Sequence, residues 1–180
     1  MQVIKTPIVK KIRCEVDFEN FGEVPKELMT VVLCEEAVEY DGENLQFVPE
    51  ELKSKELCET AFDRSARAFP FIPDEHKTLA MCYEAIRQDP YHFRSVPERY
   101  IGEEMRTTVV SLKPTMLSCI PDCYKTQSMC DKAVGQCHRA FAYVPDHLRS
   151  EAMCRNLAVE LAFLQRMVPK VYQEWAMRVE

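Results

Sequence analysis

The sequence predicts an all-α fold, an α-solenoid of about six 24-residue repeats, each with one longer helix and one short broken helix. Three observations carry this. Seven prolines stand 24 residues apart, at Pro25, Pro49, Pro73, Pro97, Pro121, Pro145 and Pro169. Apolar residues keep fixed columns around them, and a Ser or Thr recurs five residues after most of them. A period of this length is the signature of stacked repeats, none of which can bury its apolar face alone. A leucine-rich repeat has a similar period, but no column here is consistently Asn, and proline is poor inside a strand.

Each element follows from its columns. The residue before the proline is β-branched in all seven cases, from Val24 to Val168. Four residues before it stand Phe21, Leu45, Phe69, Phe93, Leu117 and Phe141, with Gln165 as the exception. Thr30, Ser54, Thr78, Thr126 and Ser150 are expected helix N-caps, their hydroxyls accepting from orphan N–H groups, while Gly102 and Glu174 are less typical. Apolar residues fall three, four, seven and eight positions past the cap, as in Leu33, Cys34, Ala37 and Val38. That stripe predicts a helix of roughly ten to eleven residues. Asp41-Gly42, Asp89-Pro90 and Lys113-Pro114 mark where it turns. The stretch around the proline is expected as a short helix or 3₁₀ turn, then a one-turn helix with proline at its first position.

One domain spans 1–180. Residues 1–20 read as an N-terminal cap helix, with Thr6-Pro7 opening it; 21–168 hold six repeats; and 169–180 form a truncated C-terminal repeat. There is no linker and no apolar run long enough to cross a bilayer, and MQVIKTPIVKKIR lacks a Sec-type apolar core. A soluble chain is expected. Of nine cysteines, Cys34, Cys58, Cys82, Cys130 and Cys154 share one column. Helix layers about 8–10 Å apart hold them beyond disulfide reach, so they are expected as reduced thiols in a reducing compartment.

The net charge of −6 is unevenly spread. Residues 21–60 carry three Lys against eleven Asp and Glu, a balance of −8. This patch (Glu23, Glu35, Glu36, Glu39, Glu43, Glu50, Glu51, Glu56, Glu59) speaks against nucleic-acid binding there; it reads as a solvated face, or as a dock for a basic partner.

Chemistry-bearing constellations are few. Cys119, Cys123, Cys130, Cys137 and His138 in repeat five suggest a zinc site, but without paired CxxC spacing. Cys119 shares its slot with Phe47, Phe71 and Tyr143, which predicts a core position, and Cys130 lies in the buried column. Cys123 is expected to be exposed, and with His138 or His147 it forms the candidate for a cysteine-dependent enzyme. His76 shares the column of Leu28, Leu52 and Leu148 and is expected to be partly buried. Arg106 replaces a column cysteine and needs a partner such as Glu103 or Glu84. No catalytic residue, cofactor or metal ligand is assigned.

Specificity is expected on the helix positions ten, fourteen and fifteen past the proline. Tyr40, Arg64, Tyr83, Arg87 and Gln88, with Glu35, Glu36 and Glu39, form the candidate partner surface, rich in types common at binding hot spots. Arg67, Tyr91, His92 and Arg94 offer an RNA-facing alternative, without a regular ladder of base-reading side chains.

The segment LCEEAVEYDGENLQFVPEELKSKELCETAF, Leu33 to Phe62, resembles a bacterial repeat family classed only as a domain of unknown function, with units like L-C-x-x-A-V-x-x-x-G-x-x-L-x-x-V-P-x-x-L-K-T. The resemblance runs over 21–169, strongest in repeats one to three and weakest in repeat four, where Arg106 and Gly102 replace the cysteine and the cap. It brings no catalytic residues. It implies a protein-binding scaffold or adaptor of the bacterial cytoplasm, or an effector delivered to a host cytosol by a specialised secretion system.

Overall fold

The computed structural model describes residues 17–160, and side chains as far as residue 155. Residues 1–16 of the expected cap and the whole of 169–180 lie outside the described residues. The described chain is all-helical, without strands. It divides into an N-terminal unit that ends at Tyr100 and a C-terminal unit that begins at Ile101.

The N-terminal unit holds three ten-residue helices: α1 (Val31–Tyr40), α2 (Lys55–Arg64) and α3 (Leu79–Gln88). Thr30, Ser54 and Thr78 cap them, each hydroxyl accepting from the N–H three residues on, at 3.3, 3.1 and 3.2 Å. The expected stripe is buried: Leu33, Cys34, Ala37 and Val38 on α1, and Met81, Cys82, Ala85 and Ile86 on α3. Small alanines at its centre let α1 and α2 approach closely.

Between helices the chain returns through six-residue 3₁₀ segments, Phe18–Glu23, Gly42–Phe47, Ala66–Phe71 and Pro90–Ser95. Each bears on the next and buries its Phe or Leu. Residues 18–20 belong to Phe18–Glu23, which Asp17 opens by accepting from the Glu19 N–H at 3.0 Å.

Helix ends use one residue twice. Asp41, Ser65 and Asp89 leave the helix at φ between −142° and −153°, their N–H still bonded to the carbonyl four residues back. Their side chains then accept from the second N–H of the following 3₁₀ segment, at 2.9, 3.3 and 2.9 Å. No left-handed residue is used anywhere in the described chain. Gly42 is required for proximity instead: a Cβ there would lie 2.3 Å from the Ala61 carbonyl oxygen.

The C-terminal unit holds α4 (Glu103–Leu112), α5 (Gln127–Gln136) and α6 (Glu151–Glu160), with 3₁₀ returns Pro114–Cys119 and His138–Tyr143. Thr126 and Ser150 cap α5 and α6. Gly102 offers α4 no side-chain cap. Its core is Met105, Val109, Val110, Leu117, Met129, Cys130, Ala133, Val134 and Phe141.

The recurring prolines depart from expectation. Pro25, Pro49, Pro121 and Pro145 sit one residue before the short 3₁₀ turns that follow, not at their first position. Their ψ of 136° to 147° is extended, and the carbonyl opens the turn by accepting from three residues on. With the proline itself extended, the turn begins only after the ring.

Candidate functional site

The candidate partner surface lies on the outer faces of α1 to α3. Glu35, Glu39, Tyr40, Arg64, Arg87 and Gln88 are exposed, whereas Glu36 and Tyr83 are half-buried. Two local groups form. The Tyr40 hydroxyl donates to Glu19 Oε1 at 3.2 Å, its ring lies 5.9 Å from Phe18, and the Glu19 carboxylate raises the phenol's pKa. On α3, Glu84 accepts from Gln88 at 3.1 Å and lies 3.9 Å from Arg87. Tyr40 and Arg87 thus belong to separate clusters, each with its own carboxylate.

A second constellation was not expected from the sequence. Four residues after the proline stand Lys53, Lys77 and Lys125, with Arg149 at the same place in repeat six. The three lysine side chains keep only 5%, 4% and 6% of their surface. Each amine meets a carboxylate three residues back, Glu50 at 2.7 Å, Asp74 at 2.9 Å or Asp122 at 2.7 Å. Each also donates to a carbonyl eighteen residues on, that of Phe71 at 3.0 Å, Ser95 at 2.8 Å or Tyr143 at 2.7 Å. A buried ammonium is tolerated only when so paired, and here it staples one return segment to the next. Lys77 also lies over the Phe69 ring at 5.1 Å, and Arg149 pairs with Asp146 and lies over the Phe141 ring at 5.0 Å. The 24-residue period held this signal, as an acid one residue and a base four residues after the proline. Charged residue types read singly as surface concealed it.

The basic-aromatic group is less cohesive. Arg94 lies 5.7 Å over Tyr91, but Arg67 faces Glu43 at 3.5 Å, and the His92 ring nitrogen approaches the Ala85 carbonyl at 3.2 Å. His92 there repeats Asn44, whose amide donates to the Ala37 carbonyl at 3.0 Å, so both act on helix ends. His76 is partly buried, 3.7 Å from Glu75.

The column cysteines Cys34, Cys58, Cys82, Cys130 and Cys154 are buried free thiols. Burial raises the pKa of each, and pushes Cys58 up to about 11. They are poor nucleophiles at neutral pH. Cys123 is exposed and Cys137 half-buried. Cys119, expected in the core, is half-buried as well, because its slot lies at the rim: Phe47 and Tyr143 there are 38% and 41% exposed. Among the described residues no three His, Cys, Asp or Glu side chains gather as metal ligands, so the cysteines and His138 of repeat five do not assemble the zinc site considered above.

Arg106 finds partners other than those expected. Its guanidinium donates to the Ile101 carbonyl at 3.0 Å and stacks 3.9 Å from the Tyr124 ring. Repeat four has Ile101 where repeats two, three and five have lysine, so it departs from them at both the base and the thiol position. An open groove in the same unit is lined by Glu104, Thr107, Thr108, Ser111 and Lys132 among others. Thr107 and Ser111 spend their hydroxyls on carbonyls four residues back, at 2.9 and 2.6 Å.

No helix among the described residues is long and apolar enough to cross a membrane. No curated protein and no solved structure matches the chain. Residues 33–77, from the first buried position of α1 to the second stapling lysine, match a family model described as a domain of unknown function (DUF4116).

Proposed function

We propose that the chain is a helical-repeat scaffold of solenoid type that binds another protein through the outer faces of α1 to α3. One observation carries this reading. Inner positions hold the same residue types in α1 to α3, whereas outer positions change freely: Glu35 corresponds to Tyr83, Glu39 to Arg87, and Tyr40 to Gln88. Stacked repeats keep a uniform core and vary the surface that recognises a partner. Tyr and Arg on rigid helices supply contact area at low entropic cost. The adaptor or effector role implied by the resemblance is part of this proposal, as is a cytosolic place of action.

The test is affinity capture by the full chain from bacterial and host-cell lysates, with and without nuclease, followed by binding to the captured protein. Tyr83→Ala with Arg87→Glu is expected to weaken that binding about 30-fold, the effect of losing one hot spot of roughly 2 kcal/mol. Loss of every captured partner after nuclease treatment overturns the reading in favour of nucleic acid.

A further inference from the structure

Repeat one lacks the lysine staple, and a buried Met29 takes the lysine's position. Met29 stands where Lys53, Lys77 and Lys125 stand, and Lys26 stands where their carboxylates stand. The matching acceptor is the Phe47 carbonyl, eighteen residues past Met29. Among the described residues no side chain donates to it, unlike the carbonyls of Phe71, Ser95 and Tyr143. A cavity of about 290 Å3 remains, lined by Val24, Lys26, Met29, Phe47, Val48 and Glu50 among others. Gly22 forms part of its wall; a Cβ there would come within 2.7 Å of the Phe47 ring.

We propose that this slot receives a lysine side chain from a partner protein, completing from outside the staple that repeats two, three and five complete from within. The proposal rests on the protein-binding reading above and names the chemistry of the partner. Val24, Met29 and Val48 cover an aliphatic stem. The ammonium donates to the Phe47 carbonyl and to Glu50, whose carboxylate is 72% exposed and holds Lys53 through Oε1 alone. The surrounding residues 21–60, at −8, draw a cation towards the slot. A carboxylate guest would pair with Lys26 but face both Glu50 and a carbonyl oxygen, so the polarity favours a cation. Lys26, exposed on the rim, opposes the guest and limits its affinity.

The experiment titrates the ¹⁵N-labelled full chain with n-butylammonium, the lysine side-chain analogue, and follows amide shifts at Met29, Phe47, Val48 and Glu50. Saturable shifts at these residues are expected, and none with 1-pentanol or pentanoate. Lys26→Glu is expected to tighten binding about two- to fivefold, the worth of one exposed ion pair. Lys26→Glu combined with Met29→Lys supplies its own amine and acid, and is expected to abolish binding. That double variant carries −7 against the parent's −6, so diffuse attraction predicts the opposite. Unchanged binding by the double variant, no shifts with butylammonium, or a preference for pentanoate overturns the proposal. If the slot fails while capture still depends on Tyr83 and Arg87, the slot falls and the protein-binding reading stands. If butylammonium fills the slot but no protein is captured, the partner as the source of the lysine is overturned.

Discussion

The N-terminal and C-terminal units each bury the same apolar columns but differ in their polar fastenings. In the first, α1 to α3 each have a hydroxyl cap and a buried thiol, and Lys53 and Lys77 each bridge two return segments. In the second, α4 lacks all three: Gly102 gives no cap, Arg106 replaces the thiol, and Ile101 replaces the lysine. Yet Met105, Val109 and Val110 are buried as fully as their counterparts. The apolar columns therefore suffice to shape a repeat, and caps and staples adjust its stability.

The strongest challenge to that equivalence is a matched truncation. Leu45→Ala and Leu117→Ala remove side chains with no exposure at the same column, and each is expected to cost about 2–5 kcal/mol in urea unfolding. Similar losses would support one shared core logic; a large inequality would break it. Alkaline pH probes the buried thiols next. Thiols whose pKa is raised in the fold stay neutral when the unfolded chain ionises, so their contribution is complete below the ordinary value of 9.0 and is lost as pH rises towards about 11 for Cys58. Cys58 alone accounts for about 2–3 kcal/mol over that window. A pH-stability profile of Cys58→Ala is expected to be correspondingly flatter above pH 9.

Smaller effects sharpen the role of the fastenings. Lys77→Met leaves the Ser95 carbonyl without its donor and is expected to cost about 1–3 kcal/mol, read by thermal or urea unfolding. A cost near zero would mean that the staple orients without stabilising, and that Met29 in repeat one is equally good. The smallest effect is Gly102→Ser, expected to gain a few tenths of a kcal/mol by capping α4, seen as a small rise in Tm.

Much of this fold was legible in residue types. Thr30, Ser54 and Thr78 marked helix starts because a hydroxyl there has one obvious use, and Leu33 to Val38 marked a face because burial demands a stripe. The return segments were less legible. Their apolar residues at three- and four-residue steps suit either helix type, and the proline's position relative to the turn depends on its ψ, which the sequence does not display. Cys119 misled because a shared slot with Phe47 suggested burial, whereas the large rings in that slot lie at the rim. The lysine column escaped because its partners are main-chain carbonyls eighteen residues away, invisible to residue type. The outer-face residues could be placed on their helices, but Tyr40 with Glu19 and Arg87 with Glu84 form separate groups. Side chains that do not pack leave no periodic trace of their neighbours.

Asp41 and Asp89 each finish one helix and start the next segment with the same residue. Such a junction leaves no spare residue to absorb an insertion or a deletion. Adding a single amino acid would part the two duties and push every following side chain out of step with its layer. Genes of this design are expected to lengthen or shorten by whole 24-residue copies, as a zip gains or loses complete teeth.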